Sequence, residues 1–248
     1  KLITLCLIST LAVSLSPSSV HATPRTTLSF DAGWRFFKGD AEGAENPSFN
    51  DSAWRKIDVP HDWSIEGPFD KDNPTRGSGG FLPSGVGWYR KHFTLPAGSD
   101  QKRVFIEFDG VMANSDVWIN GFHLGKRPYG YVSFHYELTG HLNLGGDNVL
   151  AVRADTSAQP ASRWYSGAGI YRHTTLVATG AIHIGHWATF ITTPEVGTDR
   201  AKVLVRTTVI NQSDVPRNAA LEITLIDPNG RRLKAPVTST QRIAPGKA

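Results

Sequence analysis

The 248-residue sequence predicts an all-β protein whose sheets pack as a sandwich or barrel. Three observations carry this. Short runs of β-branched and aromatic residues recur along the chain, each bounded by Gly, Pro, Asn or Asp. Several of these runs alternate apolar with polar residues, the period of a strand with one buried face. No segment sustains a 3.6-residue apolar period between helix caps.

Taken in order, the chain opens on Lys1, and an apolar run extends from Leu2 to about Leu15. A polar stretch then ends in Val20-His21-Ala22. Small residues at the last position and two before it suit signal peptidase, so residues 1–22 are expected to be a secretory signal cut after Ala22. A short membrane anchor is the alternative, although the run is brief for a bilayer. The expected location is secreted or periplasmic, with no membrane attachment after cleavage. The absence of an initiator methionine suggests a reading frame that starts further upstream. Cys6 is the only cysteine and falls in this segment. The mature part then has no disulfide, no Cys-ligated zinc and no cysteine nucleophile.

The clearest strand signals in the first domain, residues 23–180, are 34–38, 87–95, 103–111, 115–121, 132–138, 148–155 and 170–178. In RVFIEF, Val104, Ile106 and Phe108 share one face because successive strand side chains point to opposite sides. Asn120-Gly121 predicts a tight hairpin, since both residues tolerate positive φ. Residues 40–54 suggest a helical turn. Residues 61–86 form a long loop, which argues for a functional role, and its Trp63, Ile65, Phe69, Phe81 and Leu82 argue for order.

Near Gly180 the pattern restarts, with strand regions in 181–196, 201–213 and 219–233, the last of these carrying an Asn229-Gly230 turn, and a final signal in TQRIAPG. An immunoglobulin-like sandwich uses about seven strands over roughly 100 residues. The region 181–248 holds fewer, so a second sandwich is expected here in incomplete form.

Charge and motifs exclude much. A formal net charge of +4, with Lys and Arg scattered, gives no footprint for nucleic acid. No nucleophile elbow, dinucleotide loop or phosphate loop occurs. His183 and His186 are three apart on a predicted strand and so point to opposite faces, which disfavours a shared metal. No cofactor and no metal are expected. What remains is a set of loops pairing aromatic with polar residues: His61-Asp62-Trp63, Trp88-Tyr89-Arg90, Tyr129-Gly130-Tyr131 and Arg163-Trp164-Tyr165. Trp and Tyr rings stack on the C–H faces of sugars, while Arg and Asp hydrogen-bond to hydroxyls. Trp88, Tyr89 and Trp118 sit in strands and read as packing. Trp63 reads equally as core or contact, and Asp62 as a loop cap or a ligand contact. Arg163, beside two aromatics on a Gly-rich loop, reads as functional.

The strings VPHDWSIEGPF, GGFLPSGVGWYRKHF, FDGVMANSDVWINGFHLGKRPYGYVSFHYELTGHL, NVLAVRAD and SRWYSGAGIYRHTTL, in that order, resemble the N-terminal region of glycoside hydrolase family 2 enzymes. The likeness is strongest to secreted bacterial β-galactosidases and runs from about Phe30 to Val177. It implies a jelly-roll sugar-binding domain, then an immunoglobulin-like domain, then a catalytic (β/α)8 barrel lying outside these residues. The family's acid/base Glu follows an Asn, and this chain has no Asn-Glu dipeptide. No catalytic role therefore passes to Glu66, Glu107 or Glu137, and the chain by itself is expected to be inactive. The resemblance implies a β-galactoside as partner, with the loop before GIYR reaching the barrel mouth and Arg163 as its contact; Trp164, Asp62 and Trp63 are candidate contacts on the reading of the residues themselves. In some family members the position of Arg163 is acidic. The glucuronidase and mannosidase branches, or a free-standing carbohydrate-binding protein, are the alternatives.

Overall fold

The structure, a computed structural model, describes residues 24–159, 161, 164–233 and 235–246. The predicted signal segment and Cys6 lie outside the described residues. Among those described there is no α-helix, and no helix long and apolar enough to cross a membrane.

Ten strands build a sandwich of two antiparallel sheets. They are β1 (Thr26–Ser29), β2 (Trp34–Lys38), β3 (Arg55–Ile57), β4 (Val86–Phe93), β5 (Arg103–Phe108), β6 (Ser115–Ile119), β7 (Phe122–Arg127), β8 (Phe134–Glu137), β9 (Asn148–Asp155) and β10 (Thr174–Thr179). One sheet has the order β1-β10-β5-β8 and the other β3-β2-β4-β9-β6-β7. Neighbours distant in sequence, such as β4 with β9 and β1 with β10, show the chain crossing repeatedly between sheets, as a jelly roll requires. The Asn120-Gly121 turn joins β6 to β7 with φ of +49° and +83°.

Alternation drives the packing. In β5, Val104, Ile106 and Phe108 are buried and the residues between them are half-buried. They meet Trp34, Tyr89, Val117, Ile119, Leu150 and Val152 across the sandwich. Full burial of a side chain such as Phe108 or Ile106 contributes about 1.5–3 kcal/mol. Strand β9 departs from alternation, with Asn148 to Val152 all buried, because both of its faces are covered. The outer cover is the segment 40–54, which forms a run of hydrogen-bonded turns and no regular helix. Its Ala44, Phe49 and Trp54 pack on Trp88 and Ala151, with Trp118 stacked on Trp88 at 5.3 Å.

Arg90 clamps this cover. Its guanidinium is fully buried, donates to Asp51 at 2.8 Å and to the Asn46 carbonyl at 3.0 Å, and reaches the Ala44 carbonyl as well. The arginine thus gives a partner to the Ala44 carbonyl and a second one to the Asn46 carbonyl, which also accepts from the Phe49 N–H. Burial alone would raise the Asp51 pKa, but hydrogen bonds from Arg90 and His92 outweigh it and hold the carboxyl below its usual value.

Beyond the sandwich lie two antiparallel hairpins, β11 (Ile182–Val196) with β12 (Ala201–Asn211), and β13 (Arg217–Ile223) with β14 (Val237–Ile243). Residues 219–233 hold the end of a strand and the expected Asn229-Gly230 turn, which is closed by a single bridge between Ile226 and Arg232. Phe190, Ile191, Val196 and Val237 are exposed on the hairpins, and neither hairpin adds a residue to the buried clusters. An isolated two-stranded sheet is marginal in water. Contacts with the sandwich run through Arg103 to the Gln212 carbonyl (2.6 Å), Gln212 to Glu137 (2.9 Å) and His186 to Glu107 (2.8 Å).

Candidate functional site

At one end of the sandwich the loop after β3 meets the loop between β9 and β10. Residues 61–63 and 168–170 pair as a short backbone zipper, with His61 N–H donating to the Ile170 carbonyl (2.8 Å) and Trp63 N–H to the Ala168 carbonyl (3.3 Å). On its other side Gly169 exchanges hydrogen bonds with Met112, at 2.6 and 2.9 Å. Gly169 is required here. Its φ is +97°, and a Cβ would lie 1.9 Å from the Tyr89 hydroxyl and 3.1 Å from the His61 carbonyl. The Gly-rich stretch before GIYR is thus a tight joint.

Asp62 ties the two loops together. Its Oδ1 accepts from the N–H of Ser64 (3.0 Å) and of Ala168 (2.9 Å), and its Oδ2 accepts from the Tyr165 hydroxyl. Burial, and then the neighbouring carboxylate, raise the Tyr165 pKa, so the phenol stays protonated and donating. Below this joint, His61 Nδ1 contacts the Tyr89 hydroxyl at 2.9 Å and its Nε2 contacts Glu66 at 3.1 Å. Arg55 completes the group with a 2.8 Å bond to Glu66. Burial pushes the His61 pKa down, outweighing the adjacent Glu66.

The named residues separate. Asp62 and Trp164 lie on the two facing loops. Trp164 is 68 % exposed at the rim, with an indole available for stacking. Trp63 is 1 % exposed and belongs to the main core, so its ring has no free face for a sugar. Its indole packs against Gly87, where a Cβ would lie 2.7 Å from Nε1. Arg163 lies outside the described residues. Glu66, Glu107 and Glu137 each hold structural partners: Arg55 and His61, Arg25 and His186, Arg103 and Gln212. His183 turns to the Gly180 carbonyl and His186 to Glu107, so the two histidines do not converge.

The cleft between the loops is lined by Ser64, Thr75, Gln159, Trp164 and Tyr165 among others, and encloses only about 20 Å³. That is room for a water and not for a sugar ring. Most of its polar groups are already engaged: Ser64 donates to the Pro83 carbonyl, Thr75 to that of Leu82 and Gln159 to that of Thr156. The arrangement is a rigid polar rim with one open indole, able to form one wall of a sugar site.

Sequence reasoning had not foreseen the Asp62–Tyr165 link, the close approach of Gly169 to Tyr89, or the bond from the Tyr171 hydroxyl to the Gly130 carbonyl at 3.0 Å. The run of glycines around Ala168 was the one local signal for this close packing.

Comparison with known proteins fits this geometry. Residues 62–184 match the family described as glycosyl hydrolase 2 galactose-binding domain-like. A β-galactosidase of Bacteroides ovatus is 50% identical over 216 residues, covering 87% of this chain and 25% of its own length. A β-glucuronidase of Formosa agariphila is 30% identical over 240 residues, covering 85% of this chain and 24% of its own length. Among solved structures, a glycosyl hydrolase family 2 member from Bacteroides cellulosilyticus superposes with a TM-score of 0.83 at 39% identity, covering 87% of this chain and 28% of that one. A Bacteroides uniformis β-glucuronidase superposes with a TM-score of 0.82 at 28% identity, covering 90% and 26%. The chain spans about a quarter of the length of these relatives. The chain belongs to glycoside hydrolase family 2, and residues 62–184 are its galactose-binding-like domain.

Proposed function

We propose that this chain is part of a secreted or periplasmic retaining glycosidase that hydrolyses terminal β-galactosides. The 50% identity to a β-galactosidase over most of the chain carries this reading. In it, the reaction is a double displacement by two carboxylic acids held on a barrel outside these residues. Residues 181–248 are read as part of an immunoglobulin-like sandwich between the two. The jelly roll supplies one wall of the sugar site: Trp164 stacks on the sugar, Arg163 beside it hydrogen-bonds to hydroxyls, and Asp62 positions both by fixing their loop. The 20 Å³ volume supports a shared site, since this cleft has no room for a sugar by itself.

The β-glucuronidase relatives support a second reading, in which the sugar carries a carboxylate and Arg163 pairs with it. One experiment separates the two. The longer protein is assayed on aryl β-galactosides and aryl β-glucuronides, with Arg163→Ala and Trp164→Ala alongside. Preference for the galactoside, with a loss of about 1–3 kcal/mol in transition-state stabilisation for Arg163→Ala, supports the first reading. Preference for the glucuronide supports the second. Unchanged kcat and KM in both variants would reduce the jelly roll to a buttress.

A further inference from the structure

A second concave surface shares no residue with the loop cleft. It holds about 430 Å³, within the roughly 300–1,000 Å³ of small-molecule sites. Its walls include Arg127 at the end of β7, Tyr131, His135 on β8, Arg172 before β10, and His186 and Trp187 on β11.

Trp187 is the anomaly. The register of β11 with β12 breaks between Ile184 and Thr189, so the strand bulges there. Gly185 is buried beneath the bulge, where a Cβ would lie 3.0 Å from Ile210. His186 is pinned to the sandwich by Glu107 at 2.8 Å, and its ring lies 4.2 Å from that of His135. Trp187 then takes φ +49°, a left-handed conformation that is costly for a bulky side chain. It gains no burial in return, since 78 % of it is exposed. Its indole stacks on His186 at 5.5 Å and is otherwise presented to the cleft. Packing does not explain a tryptophan here; glycine or asparagine would suit the bulge better.

The charges around it are also unspent. Arg127 and Arg172 line the cleft, and neither takes part in an ion pair among the described residues. Arg127 is steadied over the rings of Phe134 (5.8 Å) and Tyr136 (5.6 Å). Tyr131, 51 % exposed, offers a second aromatic surface. Asp109 supplies one carboxylate against the two arginines.

We propose that this cleft binds an anionic saccharide, one bearing a carboxylate or sulfate. Trp187 and Tyr131 stack on C–H faces of the sugar rings, and Arg127 and Arg172 take the anionic group. The inference does not depend on the galactoside reading of the loop site.

The test is calorimetric titration of the intact protein at low salt, with digalacturonate as anionic probe and galactobiose as neutral comparison. Two variants are measured, Trp187→Gly and Arg172→Gln. Saturable digalacturonate binding is expected, about tenfold or more tighter than galactobiose, and about tenfold weaker in each variant. Trp187→Gly should melt no lower than the parent, because glycine relieves the left-handed backbone. Hydrolysis of whichever aryl glycoside the parent cleaves, galactoside or glucuronide, should be unchanged in both variants. Absence of saturable binding, or binding that survives both substitutions, overturns the proposal. So does a lower melting temperature of Trp187→Gly, which would show the indole to be packed against protein, or a parallel fall in hydrolysis, which would make the cleft part of the catalytic surface.

Discussion

Replacing Asp62 with alanine tests whether one carboxylate holds the two loops together. The substitution removes two bonds from backbone N–H groups, those of Ser64 and Ala168, and one from the Tyr165 hydroxyl. A hydrogen bond to a charged group contributes about 1.5–3 kcal/mol, but Asp62 is only half-buried and water replaces part of the loss. The net cost works out at about 2–4 kcal/mol. For a domain of this size that lowers the melting temperature by about 5–15 °C. Asp62→Asn keeps an oxygen for both backbone donors and loses the acceptor for Tyr165, so about 1 kcal/mol is expected, and a similar loss for Tyr165→Phe. The Asp62→Asn, Tyr165→Phe double variant should cost less than the sum, since both remove one bond. Thermal denaturation followed by circular dichroism reads all four proteins. A melting temperature for Asp62→Ala within about 1–2 °C of the parent would refute the reasoning. The backbone zipper between 61–63 and 168–170 would then be holding the loops by itself.

Three further outcomes follow from the same contacts. Gly169→Ala should cost about 3 kcal/mol or more, because the new Cβ meets the Tyr89 hydroxyl at a φ of +97°; Tyr89→Phe in that background should recover part of the loss on a denaturant titration. Arg90→Met should cost about 3–5 kcal/mol by leaving Asp51 buried without its main partner, and adding Asp51→Leu should recover only part of that in a chemical melt, since the carbonyls that Arg90 held stay without it. Acid should destabilise the fold through carboxyls whose folded pKa is depressed. Asp40, bonded first to Arg153 and then to Trp88, is lowered to about 2, and Asp51 and Asp155 are also lowered. A depressed carboxyl stabilises the fold above its unfolded pKa and loses that contribution as pH falls through the folded value. Stability should therefore hold down to about pH 5 and fall steadily toward pH 2. Asp40 is largely exposed, so Asp40→Asn should remove only a small part of that slope in melts run across the range.

The parts of this fold that were legible in the sequence are those whose own residues decide their state. Strands β2, β4, β5, β6, β8, β9 and β10 carry enough apolar and β-branched side chains to announce themselves. Strands β1 and β3, TTLS and RKI, bury almost nothing and exist because β10 and β2 offer them hydrogen-bonding edges. The segment 40–54 was legible only as a turn, because the buried Arg90 that holds its carbonyls comes from another strand. Asp62 and Tyr165 are 103 residues apart, so no local pattern could join them.

Two tryptophans show the limit most sharply. Trp63 and Trp164 each follow a charged residue on a loop, yet one is 1 % exposed and the other 68 %. Their composition and neighbours do not separate them. What separates them is the pairing of 61–63 with 168–170, which turns Trp63 inward over Gly87 and leaves Trp164 just beyond the joint, at the rim. Trp187 makes the complementary case. In AIHIGHWATF it reads as one more strand residue, and only Gly185 hints at the bulge that throws it into solvent. Loops and bulges draw their conformation from partners distant in sequence, while strands draw theirs from period-two patterning. Both surfaces proposed to bind sugar are built from the former, so their exposed residues are those whose placement the sequence alone leaves least determined.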